Sequence, residues 1–144
     1  MKKVESGIYI KGEIDLGSII KSVKQNSSIK QAGSIHTFTG IVRSTSKNGK
    51  PVVGMKIDAY DEIANRSINR ICEQLKQKKG IIEVKIIHLK GNFELTEDLV
   101  YVVVASAHRK EGFEVISKAV DMYKREIAVW KRENFNDGTS EWIH

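Results

Sequence analysis

Hydrophobic and polar positions follow two different periods along the chain, and the changes of period predict the order of the elements. A period of two, or a nearly continuous apolar run, predicts a strand, whereas apolar residues three and four positions apart predict a helix. Strands are predicted over residues 9–11, 34–42, 52–60, 81–89, 99–107, 128–135 and 140–144. Helices are predicted to begin at Asp15 or Ser18, at Asp61 and at about Glu111.

Turn signals predict how these pieces connect. Asn48-Gly49 stands between the strands of residues 34–42 and 52–60 and predicts that they pair in a long hairpin. Residues 91–98 are predicted to form a polar turn, and residues 136–138 to close a C-terminal β-hairpin. The pattern indicates an α+β fold with a mostly antiparallel sheet.

Composition limits the size and the setting of this fold. With 144 residues, of which 40% are hydrophobic, residues 1–144 fit a single domain. Cys72 is the one cysteine and lies on the apolar side of the second helix, so we expect it to pack in the core. Polar sequence follows Met1, and no apolar run is long enough to span a bilayer. We therefore expect a cytoplasmic protein without a membrane partner.

Charge and missing signatures narrow the possible chemistry. Lys and Arg number 24 against 18 for Asp and Glu, and the net charge of +6 favours an anionic partner. The chain has no GxxxxGK[ST], GxGxxG, HExxH or GxSxG motif. Its four histidines lie far apart, without the spacing of metal ligands: His36, His88, His108 and His144. We expect no metal site and no cofactor.

Several cations stand at the ends of the predicted elements. Arg43 and Arg109 follow strands, Lys124 lies late in the last helix, and Lys131 is on the next strand. Each alone is typical of a solvated surface charge, and Lys124 also suits a helix C-terminus, but four such ends can meet in one cleft. Arginine binds phosphate, and a lysine whose pKa is lowered by nearby cations can act as acid, base or nucleophile.

The junction before the last helix adds a second anion signal. His108 and Arg109 stand where a strand leads into a helix start, and free backbone N–H groups at such a place favour anions. Our hypothesis is that an anionic substrate, a phosphate for example, binds at this junction and that the two lysines act on it.

Three motifs resemble a known family, the large catalytic subunit of molybdopterin synthase (the MoaE family). They are FTGIVR at residues 38–43, SAHR at residues 106–109, and the run from Lys124 through WKRE at residues 130–133 to Trp142. Their order and spacing match over most of the chain. The resemblance implies an α/β-hammerhead-type fold and a homodimer that binds a small ubiquitin-like sulfur-carrier subunit at each end, as a heterotetramer.

The resemblance also implies a sulfurtransferase reaction of molybdenum cofactor biosynthesis. The carrier's C-terminal Gly-Gly tail, as a thiocarboxylate, would enter a pocket and give two sulfurs to cyclic pyranopterin monophosphate, producing the dithiolene of molybdopterin. Lys131 would do acid–base work, and Lys124 would activate substrate or handle an acyl linkage. The implied substrate-binding residues are Ile41, Val42, Arg43, His108, Arg109, Lys124, Lys131, Arg132 and Glu133.

Three segments depart from the family pattern. The chain has Leu89-Lys90 where an arginine often follows the histidine, Ile127-Ala128-Val129 where a proline usually precedes the WK pair, and Asp58-Ala59-Tyr60 in place of Glu-His-Tyr. These changes bear on local turn geometry and on any role of His88.

Two other functions stay open from the residues. One is a basic nucleic-acid-binding module, although basic and acidic residues are interspersed and no groove-reading motif or aromatic platform is found, so we expect no nucleic-acid partner. The other is an inactive scaffold that still binds the carrier.

Overall fold

The computed structural model describes residues 3–143, and within them the strand and helix order follows the sequence pattern. The elements are β1 (Gly7–Ile10), α1 (Leu16–Val23), β2 (Ser34–Ile41), β3 (Val52–Ala59), α2 (Asp61–Lys76), β4 (Ile81–Glu94), β5 (Asp98–Ser106), α3 (Arg109–Glu126), β6 (Val129–Phe135) and β7 (Ser140–Ile143). A 3-10 turn, Ile29–Gln31, precedes β2. Asp15 caps α1 by accepting a hydrogen bond from the backbone N–H of Ser18. His144, which the pattern placed in the last strand, lies outside the described residues.

The strands form a mostly antiparallel sheet, as predicted. Their order is β2-β5-β4-β3-β6-β7, and β1 pairs in parallel with β4. The C-terminal hairpin is confirmed, with β6 and β7 in register from Lys131 opposite Ile143 to Asn134 opposite Ser140. The α+β prediction is therefore correct.

The predicted hairpin between β2 and β3 is wrong. β2 pairs with β5, and β3 pairs with β6 and with the end of β4. Between β2 and β3 lies a short loop closed by the isolated bridge between Thr45 and Pro51. The Asn48-Gly49 signal fixes a local chain reversal, but strand partners are set by burial. All residues of β5 except Asp98 are buried, so β5 needs a neighbour on both sides, and β2 supplies one of them.

The predicted polar turn over residues 91–98 is also wrong in part, because β4 continues to Glu94. Its first part, up to His88, pairs with β5, and its last part, from Gly91, pairs with β3. Gly91 has a φ of 134°, which glycine adopts readily and other residues do not. One long strand thus joins the sheet of β1, β2 and β5 to the sheet of β3, β6 and β7.

The core lies between the sheet and the helices α2 and α3. The buried stripe of α2 consists of Ala64, Ile68, Ile71, Cys72 and Leu75. Cys72 is therefore a core residue, as expected. Each fully buried isoleucine or leucine of this stripe stabilises the folded state by about 1.5–3 kcal/mol. Within residues 3–143, no helix is both long enough and apolar enough to cross a membrane.

Close packing at one residue fixes the position of α3. A Cβ added to Gly112 would lie 2.2 Å from His36 Nε2 and 2.5 Å from Ser106 Oγ, so the first turns of α3 lie directly on β2 and β5. The His36 ring bonds to Ser34 Oγ at 2.8 Å and packs edge-on against Phe113, which agrees with a structural role. With its N-terminal half held there, α3 directs its C-terminal end toward the second sheet.

Candidate functional site

A cleft of about 760 Å³ lies where the C-terminal end of α3 meets β2, β4, β6 and β7. The charged side chains that line it are Arg43, Lys47, Lys124, Lys131, Glu133 and Glu141. Four of these are cations and two are carboxylates, so the cleft favours an anionic ligand.

Lys131 is the most unusual of these charges. It is half-buried on β6, in register with Ile57 of β3 and Ile143 of β7. Burial lowers the pKa of its ammonium below the ordinary value of 10.5, and the charge of Lys124 lowers it further. Among the described residues no carboxylate forms an ion pair with Lys131. Its amine therefore loses a proton more readily than that of an exposed lysine.

Lys124 reaches the cleft from the last turn of α3. Its side chain is exposed, whereas the preceding Tyr123 is buried. A cation in this turn also interacts favourably with the helix C-terminus, so the position is stable without a ligand. The predicted convergence of Lys124 and Lys131 on one cleft is found in the structure.

The end of β2 supplies a third cation. Arg43 Nε donates a hydrogen bond to Thr45 O at 2.9 Å, which holds the guanidinium at the cleft wall. Ile41 also lines the cleft and is 51% exposed. Val42 points into the core instead, with 2% of its surface exposed, so its side chain cannot contact a ligand. Successive side chains of an extended chain point to opposite sides, and Val42, the residue directly after β2, follows this alternation.

The same alternation separates the residues of the WKRE motif. Glu133 lines the cleft on the same face of β6 as Lys131. Arg132 is outside the cleft lining, and its guanidinium lies 5.7 Å from the ring of Trp142. Arg132 therefore forms no part of the cleft wall within one chain, and its place in the substrate pocket stays a prediction. Trp142 lines the cleft.

His108 and Arg109 lie far from this cleft in the same chain. Both are exposed at the start of α3, and Lys124 lies 15 residues further along that helix. At 1.5 Å per residue the separation along the axis is about 22 Å. The predicted convergence of Arg109 with the lysines in one chain is therefore wrong. The N-cap His108 makes no side-chain cap bond, which leaves first-turn N–H groups open to an anion.

One departure from the family pattern, residues 127–129, lies at the cleft. Ile127 caps α3 in an extended conformation with φ −85° and ψ 137°, so the helix ends there without a proline. Ile127 and Val129 then form part of the cleft wall.

His88, which the sequence analysis left without a role, also lines the cleft. It is 1% exposed, and its Nδ1 lies 3.0 Å from Leu89 O, so Nδ1 carries the proton and Nε2 a lone pair. Burial, with the charge of Lys131, lowers its pKa to about 3. The ring is therefore neutral at pH 7. The available signal was a histidine directly flanked by apolar residues, Ile86 and Ile87 before it and Leu89 after it.

Within residues 3–143, no group of three or more His, Cys, Asp or Glu side chains is arranged to hold a metal ion.

Comparison with known sequences places most of the chain beside one family. The family model of the MoaE protein matches residues 10–126. A probable molybdopterin synthase of Haloferax volcanii is 31% identical over 132 residues, which are 91% of this chain and 50% of that protein. The molybdopterin synthase catalytic subunit of Thermoplasma volcanium is 36% identical over 77% of this chain and 80% of its own. The chain thus spans about half the length of the Haloferax protein.

Solved structures agree on the fold. The crystal structure of molybdopterin synthase from Staphylococcus aureus matches with a TM-score of 0.84 and 24% identity over 99% of both chains. A chain from the complex of subunits 1 and 2 of the molybdopterin-converting factor from Helicobacter pylori matches with a TM-score of 0.71 and 21% identity, over 96% of this chain and 88% of that one. The fold expected from the resemblance is confirmed.

The buried His88 predicts a specific loss of stability in acid. Its pKa is about 3 in the folded chain against an ordinary 6.5, so below pH 6.5 the unfolded chain binds a proton that the folded chain does not. This contribution to stability is complete above pH 6.5 and is lost as pH falls toward 3. Between pH 7 and pH 5 it amounts to about 2 kcal/mol.

We expect His88→Gln to remove this part of the pH dependence. The measurement is the free energy of unfolding in urea at pH 7, 6 and 5, and the quantity compared is its slope with pH rather than its level. His108→Gln, a change at an exposed histidine, is the control and should keep the slope of the unchanged protein. Equal slopes for His88→Gln and the unchanged protein would contradict the prediction.

Proposed function

The chain belongs to the MoaE protein family, and on that premise we propose that it is the catalytic subunit of a molybdopterin synthase, acting in molybdenum cofactor biosynthesis. The proposed activity is sulfur transfer from the C-terminal thiocarboxylate of a small carrier subunit to cyclic pyranopterin monophosphate. The observation that carries this proposal is the pair Lys124 and Lys131 in one cationic cleft, with no carboxylate ion pair on Lys131 among the described residues.

The charge of the cleft suits both reactants. A thiocarboxylate and a cyclic phosphate are anions, and a guanidinium such as that of Arg43 binds such groups through paired N–H donors. We assign Arg43 and Ile41 to substrate binding at the mouth of β2. Glu133, buried on the same face of β6 as Lys131, completes this wall.

The lysines suit the proton transfers that the reaction needs. When sulfur leaves the carrier's acyl carbon and bonds to a substrate carbon, water must replace it on the acyl carbon and lose a proton, and the oxygen displaced from the substrate must gain one. A lysine whose pKa is lowered by burial can carry such protons near neutral pH. We assign this acid–base work to Lys131, and activation of substrate or handling of an acyl linkage to Lys124.

The partners follow from the same proposal. The carrier would place its narrow Gly-Gly tail in the cleft, and two copies of this chain with two carriers would form a heterotetramer. The Helicobacter pylori structure is a complex of subunits 1 and 2 of the molybdopterin-converting factor, which supports the proposed binding of a second kind of subunit. We place the reaction in the cytoplasm and treat residues 1–144 as one domain.

A second copy of the chain gives His108 and Arg109 a place in this scheme. They lie about 22 Å along α3 from Lys124 in their own chain, so they reach the substrate only in a cleft of the partner copy. There the exposed start of α3 would bind the substrate's phosphate.

Lys131→Met tests the proposed function. We expect at least about 100-fold slower conversion of cyclic pyranopterin monophosphate, because the variant loses a group that moves protons. The assay contains thiocarboxylated carrier and measures molybdopterin formed, and omission of the carrier should abolish the product. Lys56→Met is the control, since Lys56 lies on the neighbouring strand β3 outside the cleft lining.

Normal turnover by Lys131→Met would remove Lys131 from the mechanism. Carrier binding by the unchanged chain without any conversion would instead identify an inactive scaffold.

Mixing two inactive variants tests the shared site. If each cleft uses Lys131 of one copy and Arg109 of the other, a mixed dimer of Lys131→Met and Arg109→Ala has one intact cleft. Random mixing by co-expression should then restore about one quarter of the normal activity. If both residues act within one chain, no mixture regains activity, and that result would contradict the two-copy arrangement.

A further inference from the structure

The hydroxyl of Tyr123 faces the cleft, and none of residues 3–143 forms a hydrogen bond with it. The Tyr123 side chain is 4% exposed and lines the cleft beside Lys124 and Lys131. Burial alone raises the pKa of Tyr123, with no contribution from a hydrogen bond or a neighbouring charge. Among the described residues, no group hydrogen-bonds to this hydroxyl.

This differs from the other inward-facing tyrosines of the chain. Tyr101, also 4% exposed, donates its hydroxyl hydrogen to Asp98. Tyr9 donates to Glu5 O at 2.6 Å. Buried phenols usually have a hydrogen-bond partner, because an unmet donor costs free energy. The Tyr123 hydroxyl is instead open to the cleft, since it is not among the fully buried side-chain atoms without a partner, and it is therefore free to donate to a molecule bound there.

A glycine keeps the space next to this hydroxyl open. A Cβ on Gly40 would lie 2.7 Å from Val100 Cγ1 and 4.0 Å from the Tyr123 hydroxyl oxygen. Any larger residue at position 40 would collide with Val100 and extend toward the hydroxyl. The cleft wall of β2 is thus shaped so that a ligand atom can approach Tyr123.

The protonation states make Tyr123 a neutral donor. Burial raises its pKa to about 12, so the phenol keeps its proton at neutral pH. The neighbouring His88, whose ring centroid is 5.7 Å away, is also neutral and already uses its N–H on Leu89 O. The lysine ammonium groups of the cleft act as point charges with rotatable donors, whereas the Tyr123 hydroxyl gives a directed hydrogen bond.

We propose that Tyr123 is a further substrate-contacting residue, whose hydroxyl donates a hydrogen bond to an anionic oxygen of the molecule bound in the cleft. The assignment rests on the proposed function for the nature of that molecule. Two sources offer such an oxygen, the carboxylate end of the carrier tail and the phosphate of the pterin substrate. The chemistry is the same for both, and the two arms of the experiment separate them.

The test is Tyr123→Phe, which removes one oxygen atom and keeps the ring. Dissociation constants are measured by calorimetry for the carrier with its Gly-Gly carboxylate and, separately, for cyclic pyranopterin monophosphate. We expect binding to weaken by about 10-fold to 100-fold in at least one arm, as for a lost hydrogen bond to a charged group. The arm that changes identifies the acceptor. The urea unfolding midpoint should not fall, since the hydroxyl has no partner in the free protein.

Tyr101→Phe is the matched control. It removes a buried hydroxyl whose hydrogen bond goes to Asp98 outside the cleft lining, so it should leave both dissociation constants unchanged. Unchanged binding by Tyr123→Phe in both arms would overturn the proposal, and so would weaker binding with a matching loss of stability.

The unchanged protein is tested for conversion alongside. If it binds both molecules but forms no product, the proposed function fails while the two dissociation constants still decide the role of Tyr123. If it binds neither molecule, both proposals are overturned.

Discussion

The candidate site depends on the partial burial of an ammonium group that, among the described residues, has no ion pair with a carboxylate. Taking a cation out of water costs free energy unless a partner compensates for it, and among the described residues Lys131 has no ion pair. Strand pairing on both sides of β6 keeps Lys131 in place despite this cost. This cost lowers the pKa of Lys131, and a lysine that transfers protons near neutral pH needs a lowered pKa.

The fold provides this environment through two structural devices. The long strand β4 continues past Gly91 into the second sheet, and this brings the buried His88 to the wall that β6 completes. At the other end, the contact of Gly112 with His36 positions α3, whose last turn presents Tyr123 and Lys124. His88 and Tyr123 line the same cleft as Lys131, and because both are neutral they do not compensate its charge.

Sequence reasoning predicted what depends on local pattern and missed what depends on burial partners. Periodicity located α2, α3 and the C-terminal hairpin, and the family motifs directed attention to Lys124 and Lys131. Periodicity could not show that β2 pairs with β5, because that pairing follows from covering a buried strand. It could not single out Tyr123, since a pattern does not show where a hydroxyl points. The distance between Arg109 and Lys124 could have been predicted from the length of the helix between them.

The most direct test of this account is the pKa of Lys131, measured by NMR titration of ¹³Cε-labelled lysine in the intact chain. The account predicts that Lys131 titrates below the ordinary value of 10.5, and that Lys124→Gln raises its pKa by removing the neighbouring charge. Lys30→Gln, a change at an exposed lysine outside the cleft lining, should leave the pKa where it was. A Lys131 that titrates at its ordinary value and does not respond to Lys124→Gln would contradict the account.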